Sequence, residues 1–147
     1  MKRNSRLSLA LHALGHMAGA PERMQTSAEI AAHAGTNAVV VRRVFGKLRN
    51  AGLLLSEKGH AGGWRLARLP EEITLADVYT GLEEQLIAPS RDSDAPDCSV
   101  EHTLHTKLAH IMGDMEDMLL QRLSTTTLAD LRQPMREASL DAVTSAP

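Results

Sequence analysis

The sequence has a single cysteine, Cys98, and only three aromatic residues in 147. One cysteine excludes an intrachain disulfide framework. Aromatic residues make up 2% of the chain and apolar residues 43%. The core must therefore be aliphatic and methionine-rich, which favours helices packed on helices over a β-sandwich. No apolar run reaches the roughly 18 residues of a membrane span. No clean cleavage site follows the basic N-terminus, so we expect a cytoplasmic protein.

Positive charge is concentrated in the first half of the chain. Residues 1–70 contain 11 Lys and Arg against three Asp and Glu, whereas residues 71–147 contain five against 15. The two halves therefore carry +8 and −10, which together give the net charge of −2. Such asymmetry suggests that the basic half meets a polyanion, the alternative being uneven decoration of the surface.

Three helices are predicted in the first 52 residues. Apolar side chains recur there at three- and four-residue steps, as on one face of a helix. Thr26 and Glu29 form a capping box at the start of the second helix, and Thr36 or Asn37 can cap the third. The three predicted helices cover residues 5–18, 26–35 and 37–52.

Two short strands are predicted directly after the third helix, over Leu53–Ser56 and Trp64–Leu69, with EKGHAGG between them. Strands joined by a glycine-rich loop indicate a β-hairpin. A helix-turn-helix followed by a hairpin is a winged helix, so the predicted fold is mainly α with a small β-hairpin wing. Trp64 is expected to anchor the wing to the core, and Thr74 to cap a further helix over residues 75–82.

A long helix is predicted over Ser99–Leu123, with one continuous apolar stripe. Such a stripe exceeds what a small winged domain can cover, so we expect it to pack against a second copy, the alternative being packing on the first helix. The stripe comprises Val100, Leu104, Leu108, Ile111, Met112, Met115, Leu119 and Leu123. The expected organisation is a winged helix-turn-helix domain (1–82), an acidic flexible loop (83–97), a dimerisation helix with its closing turn (98–131) and a disordered tail (132–147).

The candidate DNA contacts lie mainly on the third helix. In a DNA-binding helix-turn-helix the first turns of the second helix face base edges, and arginine pairs with guanine O6 and N7 together. Residues further along the helix are better placed for phosphates. The alternative is a solvated basic face. The candidates for base edges are Asn37, Ala38, Val39, Arg42 and Arg43, those for phosphates are Lys47 and Arg49, and Thr26 and Ser27 complete this set.

The sequence matches neither of two common nucleotide-binding motifs. A Walker loop needs Ser or Thr after Gly-Lys, but Gly46 and Lys47 are followed by Leu48. A dinucleotide loop needs GxGxxG before a helix. The wing glycines are instead spaced GxxGG and precede a strand-like segment. Phosphates met by this loop are therefore expected to be those of a duplex.

Residues 26–82 resemble the winged-helix regulators of the Rrf2 family. The resemblance rests on EIAAHAG, KLRNAGLLLSEKG, GGWRLAR and PEEITLADV, and TLADL at residues 127–131 is similar to the family's closing motif. It implies a homodimeric transcription regulator, usually a repressor, that binds double-stranded DNA. The family's wing reaches the minor groove, which corresponds here to Lys58, Gly59 and His60.

The resemblance also bears on whether this protein holds an iron–sulfur cluster. Many family members hold a cluster through three cysteines before the long helix, whereas this chain has only Cys98. No cofactor is therefore expected. A cluster shared between two subunits with His or carboxylate ligands stays open, and so does a role for His12, because some members recruit ligands from the first helix. On packing grounds His12 and His16 are expected to be partly buried.

Cys98 is a candidate sensor. It precedes the long helix, whose N-terminus stabilises a thiolate, and a protonated His102 would lower its pKa further while Asp97 would oppose this. An inert thiol is the alternative. Cys98, His102 and His105 also share a helical face and could hold zinc or iron. No catalytic constellation is recognisable, so the chain is not expected to be an enzyme. The alternative function is a winged-helix module that binds a protein instead of DNA.

Overall fold

The computed structural model describes residues 6–83 and 98–132. The predicted acidic loop, apart from Glu83, and the predicted tail, apart from Arg132, lie outside these residues. Two 3-10 turns, Pro70–Glu72 and Ala129–Leu131, accompany the main elements. In chain order the main elements are α1 (Arg6–Ala18), α2 (Ser27–Ala34), α3 (Ala38–Asn50), β1 (Leu54–Glu57), β2 (Gly63–Leu66), α4 (Leu75–Gly81) and α5 (Ser99–Leu123).

The helix-turn-helix formed by α2 and α3 is confirmed, and its helix ends follow from local chemistry. The Thr26 hydroxyl accepts from the Glu29 amide, and the Glu29 carboxylate accepts from the Thr26 amide, at 3.2 and 2.7 Å. Gly35 ends α2 in the left-handed conformation with φ 68°. The Asn37 side chain then caps α3 by accepting from the Val40 amide at 3.0 Å. The two helices are thus separated by a tight turn of three residues.

The wing is an antiparallel hairpin in which Leu54 pairs with Leu66 and Glu57 with Gly63. The second strand ends earlier than predicted, because Leu69 already leads into the 3-10 turn that starts at Pro70. The chain before α2 joins the hairpin, since Gln25 and Trp64 exchange two backbone hydrogen bonds of 2.8 and 3.0 Å. At Gly63 (φ 145°) a Cβ would lie 2.5 Å from the Gln25 carbonyl oxygen, so this close approach requires glycine.

Trp64 anchors the wing to the core, as the sequence indicated. Its side chain is only 8% exposed and its ring meets Phe45 edge-on at 5.5 Å between centroids. The indole N–H donates to the Ser27 hydroxyl at 2.9 Å, which satisfies its only polar group. The wing is therefore fastened to both helices of the helix-turn-helix.

Removing the Ser27 hydroxyl should loosen this attachment. We expect Ser27→Ala to lower the free energy of unfolding by about 1 kcal/mol, because the buried indole N–H loses its partner. Urea denaturation of the single variant, of Trp64→Phe and of the double variant would measure it. In the Trp64→Phe background, Ser27→Ala should lower the free energy of unfolding much less, because the indole N–H that donates to the hydroxyl is already absent. An equal loss from Ser27→Ala in both backgrounds would contradict the role of this hydrogen bond.

The segment after α5 returns to complete the core. Thr127 pairs with Thr74, and the Leu128 amide donates to the Ile73 carbonyl at 2.8 Å. Leu128 is fully buried together with Leu14 and Phe45. The TLADL motif therefore closes the domain by packing beside α1 and the start of α4.

The single apolar stripe predicted on α5 is divided between two faces. Met112, Leu119 and Leu123 are half-buried, on the side where the Tyr79 hydroxyl donates to the Glu116 carboxylate at 2.9 Å. A second face is 44–72% exposed and includes one residue that the predicted stripe omitted, Met118. This exposed α5 face consists of Val100, Leu104, Leu108, Ile111, Met115 and Met118.

Two further sequence-level points are settled by the described residues. None of their helices combines the length and apolar character that a bilayer crossing requires.

The prediction that His12 and His16 are partly buried is wrong, since both are exposed. They belong to a row of imidazoles in which His16 lies 4.8 Å from His12 and 5.0 Å from His33 between ring centroids. The sequence missed this row because His33 is remote in the chain.

Candidate DNA interface

Helix α3 is oriented by an apolar face that packs into the core. Val41, Val44, Phe45 and Leu48 are all buried, at steps of three and four residues. This spacing overrides the strand preference of the three consecutive valines. Because one side of the helix is fixed in the core, the opposite side must face outward.

The outward face of α3 mixes cationic, amide and apolar groups. Arg42 and Arg43 are exposed, and Val39 is 60% exposed beside them. Asn50 lies exposed on the same face and Gly46 lies between. Sequence reasoning missed Asn50 and Gly46 because it sought charge, although steps of three or four residues from Val39 reach both. The helix contains no acidic residue, so nothing on it repels a phosphate backbone.

Gly46 leaves the centre of this face without a side chain. A Cβ built there meets nothing within 4 Å. We expect Gly46→Ala to raise the free energy of unfolding by about 0.5–1 kcal/mol, because alanine is the better helix former. If α3 enters the major groove as the sequence predicts, DNA affinity should fall at the same time, because the new methyl group would hold the helix off the groove floor. Thermal unfolding and duplex titrations at one salt concentration would test both signs, and an unchanged or higher affinity would show that the backbone does not approach DNA here.

Lys47 and Arg49 lie on the flanks of α3 and contact other parts of the protein. The Lys47 ammonium donates to the Leu82 carbonyl at 3.2 Å in a partly buried position. The Arg49 guanidinium donates to the Ser56 hydroxyl at 3.0 Å and lies 5.7 Å from the Trp64 ring centroid. Arg49 thus links the helix to the wing. Phosphate contacts by either residue stay a prediction.

The start of α2 offers fewer free groups than the sequence suggested. The Thr26 hydroxyl is used by the capping box and the Ser27 hydroxyl by the indole of Trp64. The hydrogen bond from the Thr26 amide is the main reason that the pKa of Glu29 is lowered. DNA contacts by Thr26 and Ser27 also stay a prediction.

The tip of the wing lies at the surface. Lys58, Gly59 and His60 are all exposed, and Gly59 has the positive φ of 106° that the turn requires. The tip and the outward face of α3 together present the candidate contacts that sequence analysis assigned to bases and to the minor groove. Asn37 and Ala38 precede the outward face, and the Asn37 carboxamide oxygen is used by its cap.

Comparison with known proteins identifies the family. The sequence profile of Rrf2, described as an iron-dependent transcriptional regulator, matches residues 3–134. This chain belongs to the Rrf2 family. It is a DNA-binding transcriptional regulator and not an enzyme.

Relatives and solved structures agree with this assignment. Protein rrf2 of Nitratidesulfovibrio vulgaris is 34% identical over 112 residues, which are 76% of this chain and 71% of that protein. The oxidized form of CymR from Staphylococcus aureus is 26% identical, with a TM-score of 0.62 and coverage of 91% of this chain and 98% of CymR. IscR of T. potens is also 26% identical, with a TM-score of 0.61 and coverage of 89% and 85%.

The iron dependence in the family description does not fit the residues of this Rrf2 chain. Only one cysteine is present. Within residues 6–83 and 98–132, no three His, Cys, Asp or Glu side chains are grouped so that they could hold a metal ion. Cys98, His102 and His105 are all exposed on or next to α5, but the structure does not gather them into such a group. The donor groups that the structure describes in a single chain therefore do not fit an iron–sulfur cluster.

The pKa of the Cys98 thiol is lowered, but only one of the predicted causes is found. The backbone amides of Glu101 and then Val100 lower the pKa of Cys98, although the sulfur makes no cap hydrogen bond of standard geometry. The helix N-terminus therefore acts as predicted. His102 is not among the groups that lower this pKa, and Asp97 lies outside the described residues.

Proposed function

We propose that this Rrf2-family regulator is a homodimeric repressor of the cytoplasm that binds a dyad-symmetric operator. The outward face of α3 carries this proposal, because it is exposed, free of acidic residues and held rigidly by a buried face. Arg42 and Arg43 reach guanine edges in the major groove, and the Val39 side chain contacts a thymine methyl. Lys58 and His60 enter the flanking minor groove from the wing.

The exposed α5 face supports the homodimer. The stretch from Val100 to Met118 contains 19 residues, so its ends lie 18 steps of 1.5 Å, or about 27 Å, apart along the helix. An apolar strip of that length is unusual on the surface of a small monomer. Residues 98–131 then form the dimerisation segment and residues 1–82 the DNA-binding domain. Two copies present two recognition helices to successive turns of the groove, which requires operator half-sites related by a dyad.

A genomic pull-down tests the operator. The full chain is incubated with sheared DNA from its own organism, and the bound fragments are sequenced. The expected result is a small set of fragments that share a dyad-symmetric site upstream of genes. Binding to that duplex should fall steeply with salt, as counterion release requires. Absence of enrichment, together with duplex binding no tighter than that of single strands, would overturn the proposal and favour a protein-binding module.

The sign of regulation needs its own measurement. Transcription in vitro from an enriched promoter should fall as the protein is added, because a dimer over the promoter blocks polymerase. A rise in transcript at saturating protein would make the regulator an activator. Arg43→Ala protein at the same concentration is the control for effects that do not need base contacts.

Thiol sensing by Cys98, with His102 one turn away, is the remaining part of the proposal. The thiol is exposed and its pKa is lowered, both of which favour reaction with oxidants. The CymR structure of S. aureus was solved in an oxidized form. Operator affinity measured before and after hydrogen peroxide should change in the wild type and stay constant in Cys98→Ser. Equal behaviour of the two proteins would remove this part.

A further inference from the structure

The side chain of Arg49, in the last turn of α3, contacts both strands of the wing. Its Nη1 donates to the Ser56 hydroxyl of β1 at 3.0 Å, and its Cζ lies 5.7 Å from the centroid of the Trp64 ring on β2. We propose that Arg49 is a positioning residue that sets the angle between α3 and the wing, and thereby the reach of Lys58 towards DNA. The part of this statement that concerns DNA rests on the proposed function.

The register of the hairpin places both contacts at one level of the wing. Ser56 and Trp64 are directly opposite each other, and opposite residues of antiparallel strands present their side chains on the same face. One guanidinium therefore meets a complete cross-strand pair. A single further pair follows before the chain reaches the tip at Lys58. Arg49 thus contacts the end of the hairpin that carries the tip.

This attachment differs from the one made by Trp64. The Trp64 indole and backbone fasten β2 to Ser27 at the start of α2 and to Gln25 before it. Arg49 adds a polar contact to β1, and this contact comes from α3 itself. A two-stranded hairpin has little stability of its own, so its direction depends on the contacts that tie it to the domain. The Arg49 contacts relate the wing directly to the helix beside it.

The two contacts require a guanidinium and not simply a positive charge. Its planar group donates from one edge while its central carbon lies over an aromatic ring, so both contacts are made at once. A lysine ammonium has the same charge at a single centre and cannot occupy both positions. A phosphate, in contrast, pairs with either cation. Arg49→Lys therefore removes the positioning contacts and keeps the charge that a phosphate contact needs.

Amide hydrogen exchange of the free protein, followed by mass spectrometry of the full chain, gives the first test. In Arg49→Lys, exchange over residues 54–66 should be at least about three-fold faster, because the wing detaches more often. Exchange around the buried Val44 of α3 should stay as in the wild type. Arg132→Lys makes the same change at the exposed pair with Glu71 and is the matched control. Unchanged exchange over residues 54–66, or equal acceleration around Val44, would overturn the positioning role.

Ser56→Ala removes the hydroxyl acceptor and leaves the guanidinium in place. Exchange over residues 54–66 should again be faster than in the wild type, but by less than in Arg49→Lys, because the contact with the Trp64 ring remains. Once Arg49 is replaced by lysine, Ser56→Ala should add no further acceleration, since the two changes remove the same contact. An equal added effect of Ser56→Ala in both backgrounds would mean that the hydroxyl acts independently of Arg49, against the proposal.

The salt dependence of operator binding gives the second test. Arg49→Lys keeps the net charge, yet it should lower affinity about five-fold and reduce the salt slope by about one unit, because Lys58 no longer reaches the backbone phosphates. Arg132→Lys should change neither quantity. A direct phosphate contact by Arg49 predicts a different pattern, in which Arg49→Lys binds as the wild type does and only Arg49→Ala loses affinity. That pattern would overturn the proposal.

Coupling between Arg49 and Lys58 completes the test. In the Arg49→Lys background, Lys58→Ala should weaken binding by less than about two-fold, because the displaced wing has already lost this contact. Independent contacts would multiply the two losses, and that result would contradict positioning. Faster exchange with unchanged operator affinity would overturn the part that concerns DNA. If the protein binds no DNA, hydrogen exchange still decides whether Arg49 holds the wing, so the two failures are distinguishable.

Discussion

Arg43→Ala is expected to lower operator affinity about 10- to 100-fold, in line with the loss of one bidentate contact to a guanine. The residue is exposed on the outward face of α3, which the buried Val44 and Leu48 hold in place. The variant should also discriminate less against operators in which the contacted guanine is changed. Fluorescence anisotropy with the selected duplex and with single-base variants, all at one salt concentration, measures both effects.

Two other substitutions make this result interpretable. Arg132→Ala removes the same charge at a position where the side chain pairs with Glu71, and it should leave operator affinity within about two-fold because exposed ion pairs contribute little. Lys58→Ala should weaken binding evenly across sequences and reduce the salt slope by about one unit, as expected of a phosphate contact. If Arg43→Ala behaves like Arg132→Ala, α3 is not the recognition helix.

Local signals made most of the fold predictable from the sequence. The capping residues Thr26, Asn37 and Thr74 each act through their own side chains, and such contacts span only three residues. The strand ends were less predictable. Where β2 stops depends on Pro70 and on the turn that follows, and β1 begins only after Leu53 has bonded back to the Leu48 carbonyl.

Contacts between distant residues account for what the sequence left out. The division of α5 into two faces depends on where Tyr79 and Glu116 meet, 37 residues apart in the chain. The hydrogen bond from Lys47 to the Leu82 carbonyl joins residues that are 35 positions apart in the chain. A count of exposed charges cannot detect it. The row formed by His12, His16 and His33 likewise requires α1 and α2 to pack together. Periodicity assigns a residue to a face, whereas its partner is decided by tertiary packing.

Ile111→Glu is expected to dissociate the proposed homodimer. Ile111 lies within the exposed α5 face and is 54% exposed in one chain. Burying a carboxylate in an apolar interface is strongly unfavourable, and a two-fold axis introduces the substitution twice. The dissociation constant of the dimer should rise at least about 100-fold, since two uncompensated charges cost several kcal/mol. Sedimentation velocity across a concentration series measures the shift.

His110→Glu is the matched control for this substitution. It places the same side chain one residue away, on the polar side of α5, and should leave the dimer intact. Circular dichroism of both variants shows whether each keeps its helices. Operator affinity should fall much further in Ile111→Glu than in His110→Glu, because a dimer binds its second half-site at high effective concentration and a monomer does not. A wild-type monomer, or a dimer that survives Ile111→Glu, would mean that the exposed α5 face serves another partner and that dyad symmetry in the operator has a different origin.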